Sequence, residues 1–519
     1  MKLVIIFFIT INFLSYAQPN PYDFHLKGEK NLLSKISYST PTSNSISDII
    51  AVSDTVWLGT SRGVSVSFDR GNNWTNFYGT SPFGEDNVSA IGYNKGVVWV
   101  ATATNADAPD GGTVPKGTGL KFTTDNGSTW SSIPQPVDDQ SATTVVYGIN
   151  TLSALPVTVT EQNLTYDIAF TPGTIWITSW ASGCRKSTDN GETWHRVVLP
   201  PDYLNSINPN DTLDFCLSPS RGSYCDETNY NHVAFSVIAV DDTTLYVGTA
   251  DGINKSTDNG ISWVKFNHLN QDESISGNFI TALAYNEVTS TIWAATWKAN
   301  DQSEYYAVSS SDNSGASWKT FLIDEKAHNF GFKGSDVIAV SDNGAFRSSD
   351  RGNSWITPTS IVDTVSDPTS NLYLKTNMFY GADAEGNTIW LGTTDGLAKL
   401  DETSFWVGNW KLYFASQTLK SANETYAYPN PFSPMQEQLK IKYTTEGKEA
   451  SVTIRIYDFG MNYVRTVIQN APRNRDNDGP PDFWDGRDDS GNIVPNGVYL
   501  YRVDIDSNDP LFGKIIVMR

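Results

Sequence analysis

Cysteine, histidine and basic residues are scarce in this chain. Three Cys and five His among 519 residues form no Cys-x-x-Cys and no His-x-x-x-His pair, so the spacings that hold zinc are missing. Lys and Arg together number 36 against 57 Asp and Glu, a formal net charge of −21. A surface so acidic repels phosphate backbones, which excludes nucleic acid as an expected partner. Long apolar runs are also missing after the first few residues, and no later stretch is expected to span a bilayer.

The one apolar run reads as an export signal: Lys2, then Leu3–Tyr16, then a small-residue cleavage site at Ser15-Tyr16-Ala17 before Gln18. No Cys follows that site, so a lipid anchor is not indicated. In an oxidising compartment Cys216 and Cys225 could close one loop across Leu217–Tyr224; the alternative is three unpaired thiols.

Glycine and tryptophan, by contrast, are plentiful, with 39 and 16 residues, and they recur together. The phrase Ser/Thr-x-Asp-x-Gly-x-x-Trp is written six times, at Ser67–Trp74, Thr123–Trp130, Ser187–Trp194, Ser256–Trp263, Ser310–Trp318 and Ser348–Trp355. The fifth copy reads one residue longer, through Ser311-Asp312-Asn313-Ser314-Gly315. Repeats a few tens of residues apart indicate an array whose units bury their faces against neighbours. Asp two residues before Gly suits a tight turn, because the carboxylate accepts backbone N–H groups while Gly takes a positive φ without steric cost. The Trp then opens the next strand as a large apolar plate.

Upstream of each phrase lies a β-rich run: Thr55–Thr60, Val97–Thr102, Thr174–Ser179, Thr244–Thr249, Thr291–Thr296 and Asp336–Ser341, with a seventh at Thr388–Thr393. Each is preceded by a further strand candidate, from Ser47–Val52 to Asn377–Ala382. The unit is therefore four strands, A to D, with the phrase between C and D. The seventh unit lacks the phrase but keeps Gly396–Asp401 as strand C and Trp410–Phe414 as strand D. It is expected to be self-contained, with Leu32–Tyr38 as the competing closing strand.

The phrase resembles the Asp-box, or BNR repeat, of sialidases, sortilin-type receptors, xyloglucanases and photosystem II assembly factors. That resemblance implies a β-propeller in which the box is a structural turn away from the functional face, so the box positions are expected to be structural rather than catalytic.

After Ser421 the pattern changes. Tyr428-Pro429-Asn430-Pro431-Phe432 opens a run with strands at Leu439–Tyr443, Ser451–Tyr457 and Val498–Val503, a Trp484-Asp485-Gly486-Arg487 turn, a Val494-Pro495-Asn496-Gly497 turn and a last strand at Lys514–Val517. This segment has the size of a small β-sandwich. It resembles the Ig-like domain of flagellar hook-capping proteins and the C-terminal sorting domains of type IX secretion substrates, which implies secretion machinery as a partner. The acidic run Asn474–Asp482 lacks the full ladder and distal Glu of a calcium loop and is expected to be a solvated turn. The expected fold is thus all-β: a signal peptide at 1–17, an N-terminal segment at 18–45, a seven-bladed β-propeller at 46–416, a linker at 417–426 and an Ig-like C-terminal domain at 427–519.

With the boxes on the C–D turns, the opposite face, built from B–C turns and D–A loops, is where binding is expected. The long D–A loops Pro134–Asn163, Leu199–Asn231 and Asn267–Asn278 are assigned there. Aligning the units places Arg62, Trp180, Asp251, Trp297, Lys298, Asp342 and Asp395 at its centre. Trp180 and Trp297 suit stacking on a sugar or holding a peptide; the Asp residues also suit plain turns. Gly59-Thr60-Ser61-Arg62-Gly63 matches a hydrolase elbow in spacing only, since sister units write Asp251 or Asp395 before the last Gly. The sialidase reading lacks its three clamping Arg and its Arg-Ile-Pro motif. The expected function is an exported or cell-surface binding protein for a carbohydrate, a peptide or a surface protein, with no catalytic residue, cofactor or metal. The alternative is a glycoside hydrolase, with acid and base among Asp107, Asp110, Asp301 and Glu304.

Overall fold

Strand B of most units is buried on both faces; Thr174–Ser179, Leu245–Thr249, Thr291–Trp297 and Thr388–Thr393 are buried at every position. Only a sheet stacked between two others asks for this, which is the situation of a propeller blade. The computed structural model describes residues 37–108, 111–222, 225–366, 372–417, 419–477 and 479–519; the expected signal peptide lies outside the described residues. The protein is an all-β seven-bladed propeller followed by a small Ig-like sandwich. The seven A strands line the axis: Ile46–Val52, Asn87–Asn94, Thr165–Thr171, Ala234–Ala239, Phe279–Asn286, Ala327–Lys333 and Phe379–Glu385. Each touches the next, and the last touches the first.

The seventh blade is self-contained, with Phe379–Glu385, Thr388–Thr393, Leu397–Ser404 and Val407–Tyr413 in one sheet. Ser37–Tyr38 does not close the ring; it pairs outside Trp74–Asn76 as a fifth strand of the first blade. Closure is made by side chains instead. Asp383 of the last A strand accepts the N–H of Ala51 at 2.8 Å, and Trp74 stands edge-on to Trp390 and Tyr413.

The repeated phrase forms the same hydrogen-bonded turn each time. In the third blade the Ser187 hydroxyl donates to Asp189 Oδ1 at 2.7 Å and accepts the Gly191 N–H at 2.8 Å, while Asp189 Oδ1 accepts the Thr193 N–H at 2.9 Å. The fifth copy carries no extra residue. Ser311, Asn313 and Gly315 make the same bonds at the standard spacing, so Asn313 stands where the other copies have Asp. An amide oxygen accepts backbone N–H groups as a carboxylate does, which is why the turn survives the exchange. The turn glycines have φ between +76° and +91°, and each rests on aromatic or apolar side chains of the preceding blade: Gly127 on Phe77 and Trp57, Gly260 on Trp176. Replacing the buried Ser187 by Ala strands the Gly191 N–H and is expected to cost about 1–3 kcal/mol. Chemical denaturation measures it, and Asp189→Ala should move stability in the same direction.

Two of the long D–A loops do not build the binding face. Thr144–Tyr147 pairs with Asn150–Ala154, which pairs in turn with Cys216–Leu217, in an accessory sheet. Ser206–Ile207 extends the fourth blade outside Trp263–Phe266. Leu152, Leu199, Phe215 and Leu217 cluster with Val197 and Trp263 on the outer strands. Burying that apolar surface decides the position of these loops. Asp138 anchors them through Arg185 at 2.8 Å and through Arg196. Cys216 and Cys225 form a disulfide within this region, and Cys184 is a free, buried thiol.

In the sandwich a three-stranded sheet, Tyr426–Tyr428, Leu439–Lys442 and Asp482–Trp484, faces a four-stranded one, Tyr463–Asn474, Glu449–Asp458, Gly497–Ile505 and Leu511–Val517. Trp484, Tyr501 and Phe432 fill the space between them. The final strand pairs with Gly497–Ile505 from Gly497 opposite Val517 to Val503 opposite Leu511. The opening motif guards its other edge: Asn430 Oδ1 accepts the Ile516 N–H, its Nδ2 donates to the Lys514 carbonyl, and the Phe432 N–H bonds the Ile516 carbonyl at 2.8 Å each. An otherwise open strand edge is thereby covered. Asp482 of the acidic run is taken up by Arg473 at 2.9 Å and by the Tyr443 hydroxyl at 2.5 Å; Asp478 lies outside the described residues.

Candidate functional site

Every A strand carries a β-bulge one or two pairs from its B–C end, shown by a skipped partner in each A–B ladder. The bulged residues are Ser47, Ser89, Tyr166, Phe235, Thr281, His328 and Tyr380, and all seven line one cavity of about 510 Å³ on the propeller axis. A bulge turns its extra residue out of the ladder, here towards the channel. Four of the seven are aromatic or imidazole rings. Tyr166 and Phe235 lie 5.4 Å apart between centroids and continue to Phe279 at 4.6 Å from Phe235. His328 and Tyr380 lie 4.5 Å apart and continue to Trp297 and Tyr306. The third, fourth, sixth and seventh blades therefore place rings at the mouth, Tyr166 half-buried but Phe235 and Tyr380 only 1% and 7% exposed, and the first and second blades place serine there.

Behind the bulges sit acids. Asp48 Oδ1 accepts the Ile49 N–H at 2.9 Å and Asn329 Nδ2 at 3.2 Å; Asp167 bonds the N–H groups of Ile168 and Val237, both at 2.8 Å; Asp383 bonds those of Ala384 and Ala51. Burial pushes Asp48 and Asp383 up to about 7 and Asp167 to about 6, with the charges of Asp167 and Asp383 adding to the rise at Asp48. Acids raised in the folded state favour the fold fully below pH about 4. That stabilisation is lost as pH rises through 6 and 7. The box carboxylates run the other way: hydrogen bonds from Thr193 hold Asp189 at about 2, so their contribution fails only in strong acid. Stability is thus expected to fall from pH 5 to pH 8, and Asp48→Asn, which keeps the acceptor oxygen, should flatten that slope. Each pH unit of displacement is worth about 1.4 kcal/mol before screening, and allowing for screening the variant should gain about 2 kcal/mol at pH 8. Thermal melts across that range check it; parallel curves for both proteins would contradict it.

The B–C turn residues separate into different surroundings. Trp180 and Trp297 join the aromatic cluster beside the mouth, Trp297 being only 7% exposed with its indole N–H on the Ala327 carbonyl. Asp342 receives His328 Nε2 at 2.8 Å and so fixes a ring of the mouth; that bond draws its carboxyl down. Asp251 is paired with the buried Lys265 at 2.5 Å. Lys298 is exposed. Arg62 and Asp395 line a second cavity of about 300 Å³ against Tyr428–Pro431 of the sandwich. There Asp395 bonds Lys440 at 2.5 Å and Arg62 stacks on Tyr78 at 4.3 Å. Of the hydrolase candidates, Glu304 is 4% exposed and accepts from Asn278 and Ala299, Asp301 is turned onto Ser303, and Asp110 lies outside the described residues. No group of three metal-ligating side chains occurs among the described residues.

The bulge ring was missed from the sequence. The sequence carries no common signal for it: Ser47-Asp48, Tyr166-Asp167 and His328-Asn329 each stand just before Ile or Phe, but the other four bulges share no such pair.

No protein-family model and no curated protein matches the chain. Solved structures do. PorZ, a surface component of the type IX secretion system of Porphyromonas gingivalis, is 14% identical over 91% of this chain, with a TM-score of 0.40. An ancestral GH74 enzyme is 13% identical over 93%, with a TM-score of 0.50. YCF48 from Cyanidioschyzon merolae is 12% identical over 69% of this chain and 92% of its own length, with a TM-score of 0.38. The chain spans 65% of the PorZ chain and 63% of the GH74 chain, under two thirds of either. At 13% identity the likeness to the GH74 enzyme shows the fold, a β-propeller, and nothing about chemistry. No helix among the described residues is long and apolar enough to cross a membrane.

Proposed function

We propose that this is an exported or cell-surface binding protein that takes a glycan, a peptide or a surface protein at the channel mouth. The observation that carries this reading is the bulge ring: seven blades turn the same backbone position into one cavity of about 510 Å³, four of them presenting rings. Concave cavities lined by apolar side chains and a few polar groups are common ligand sites, and the half-buried Tyr166 offers part of a ring to a ligand there. The hydrolase alternative has less behind it. A glycosidase needs one carboxyl raised and one left ionised, whereas Asp48, Asp167 and Asp383 are all displaced upward. Screening the full chain against glycan and peptide arrays tests the reading. Tyr380→Ala and Trp180→Ala should abolish the captured ligand while Ser187→Ala leaves it bound; the opposite ranking would remove the mouth as the site.

The turns at Ser67–Trp74 and its sister copies support Asp-box membership by their bond pattern, and the C-terminal module, with boundaries at 427–519 after a linker at 417–426, serves type IX secretion or surface attachment. Deleting Gly513–Arg519 removes most of the last strand and the partner of Asn430. In a type IX host the truncated chain is expected to stay in the periplasm, and residues 427–519 are expected to carry a periplasmic reporter to the surface. A reporter that stays behind, together with a truncated chain that still arrives, would make the module an ordinary spacer.

A further inference from the structure

The charge balance of the axial cavity is one-sided. Among the described residues lining it there is no Lys or Arg, while Asp48, Asp167 and Asp383 are present, with Glu287 at its far end in an A–B turn. His328 is the one basic ring, and it is already engaged with Asp342. Asp48 spends only Oδ1 on Ile49 and Asn329; its Oδ2 has no hydrogen-bond partner among the described residues.

We propose that the channel mouth binds a cationic side chain, the ammonium of a lysine or the guanidinium of an arginine, presented by a protein partner. This rests on the binding reading of the same cavity and deepens it. Lys and Arg groups carry donors and no acceptors, which matches a wall whose ionisable groups are almost all acids. Rings supply the second half of the recognition: a cation over Tyr or Trp is attracted by the negative face. The rim already holds such a contact within the chain, with Lys326 Nζ 4.9 Å from the Tyr306 centroid and 5.8 Å from that of Trp297. Burial without a balancing cation is also what raises the three Asp residues, and a bound cation would lower them again. The formal charge of −21 favours approach of a basic partner over long range.

The test uses the full chain and three matched peptides, Gly-Gly-X-Gly-Gly with blocked ends, where X is arginine, citrulline or glutamate. Citrulline keeps the shape of arginine without its charge. Calorimetric titration at pH 8 should show the arginine peptide binding at least about tenfold tighter than citrulline, a difference of about 1.4 kcal/mol, and no binding of glutamate. The double variant Asp48→Asn, Asp167→Asn should bring arginine down to the citrulline level, while its melting curve shows it folded. Tyr380→Ala should weaken arginine and citrulline together. Equal binding of arginine and citrulline, or no arginine binding at millimolar concentration, overturns the proposal. If a neutral glycan instead binds and is lost in Tyr380→Ala, the cation fails but the binding reading stands; a captured ligand unaffected by any mouth variant removes both.

Discussion

Asp395→Ala is expected to lower stability by about 3–5 kcal/mol, because it strands a buried ammonium. Lys440 sits on the three-stranded sheet of the sandwich with its side chain 0% exposed, and Asp395 at 2.5 Å is the carboxylate that balances it. Phe414 at 4.7 Å and Tyr428 at 5.9 Å from Nζ enclose the rest of the cation. Burial raises Asp395 in turn, and Lys440 opposes that rise. Removing one partner of such a pair costs far more than replacing both, so Asp395→Leu with Lys440→Met should recover most of the loss. The contact joins the two parts of the chain, together with Lys375 on the Pro434 and Glu437 carbonyls and Phe414 against Phe483. Asp395→Ala should therefore also expose the segment around 417–426 to protease. Denaturant titration and limited proteolysis measure the two effects, and peptide binding at the mouth should be unchanged. A loss below about 0.5 kcal/mol, typical of an exposed pair, would show that the sandwich does not bury this contact in solution.

The second large effect is expected at Gly71, in the seam where the first blade meets the seventh. Its φ is +81°, and a Cβ there would stand 2.5 Å from the Tyr413 hydroxyl and 2.7 Å from the Trp390 ring. Those rings are held by Trp74, edge-on to both, so they have little room to yield. Gly71→Ala should cost about 2–4 kcal/mol, combining a left-handed backbone with overpacking. Gly96, at φ +91° with nothing within 4 Å of its would-be Cβ, separates the terms: Gly96→Ala should lose only the backbone part, about 1 kcal/mol. Equal losses for the two variants in urea would show that the seam relaxes around the methyl.

Much of the architecture was legible because its causes are local. Ser, Asp and Gly at fixed spacing make a turn through bonds spanning two to four residues, and the run Thr388–Thr393 is a buried strand by composition. Seven such units imply a ring, since each blade covers the next. One local reading differs from the structure: the fifth copy, taken from Ser310, reads one residue longer, whereas the turn starts at Ser311 and uses Asn313. Spacing does distinguish the two, since Ser311-x-Asn313-x-Gly315-x-x-Trp318 is the standard phrase with Asn in place of Asp, and the Gly315 N–H on the Ser311 hydroxyl follows it.

The site was less legible, since it depends on distance between blades. Arg62 and Asp395 occupy equivalent B–C turns, yet both end at the seam with the sandwich, because Lys440 and Tyr428 arrive there from a separate fold. Trp297 resembles an exposed stacking surface in sequence, yet it is covered by Tyr306 and His328. The long D–A loops look like a binding face, yet Leu152, Phe215 and Leu217 carry them to the outer strands.

By itself, then, the sequence determined the blade, its turn, the number of repeats and the change of pattern after Ser421, all of which are periodic and short-range. Tertiary structure alone decided which residues face the axis. A bulge of one residue per A strand is invisible in composition, but it rotates Tyr166, Phe235, His328 and Tyr380 into the channel, and only the closing of seven strands into a ring brings Asp167 and Asp383 near enough to act on Asp48.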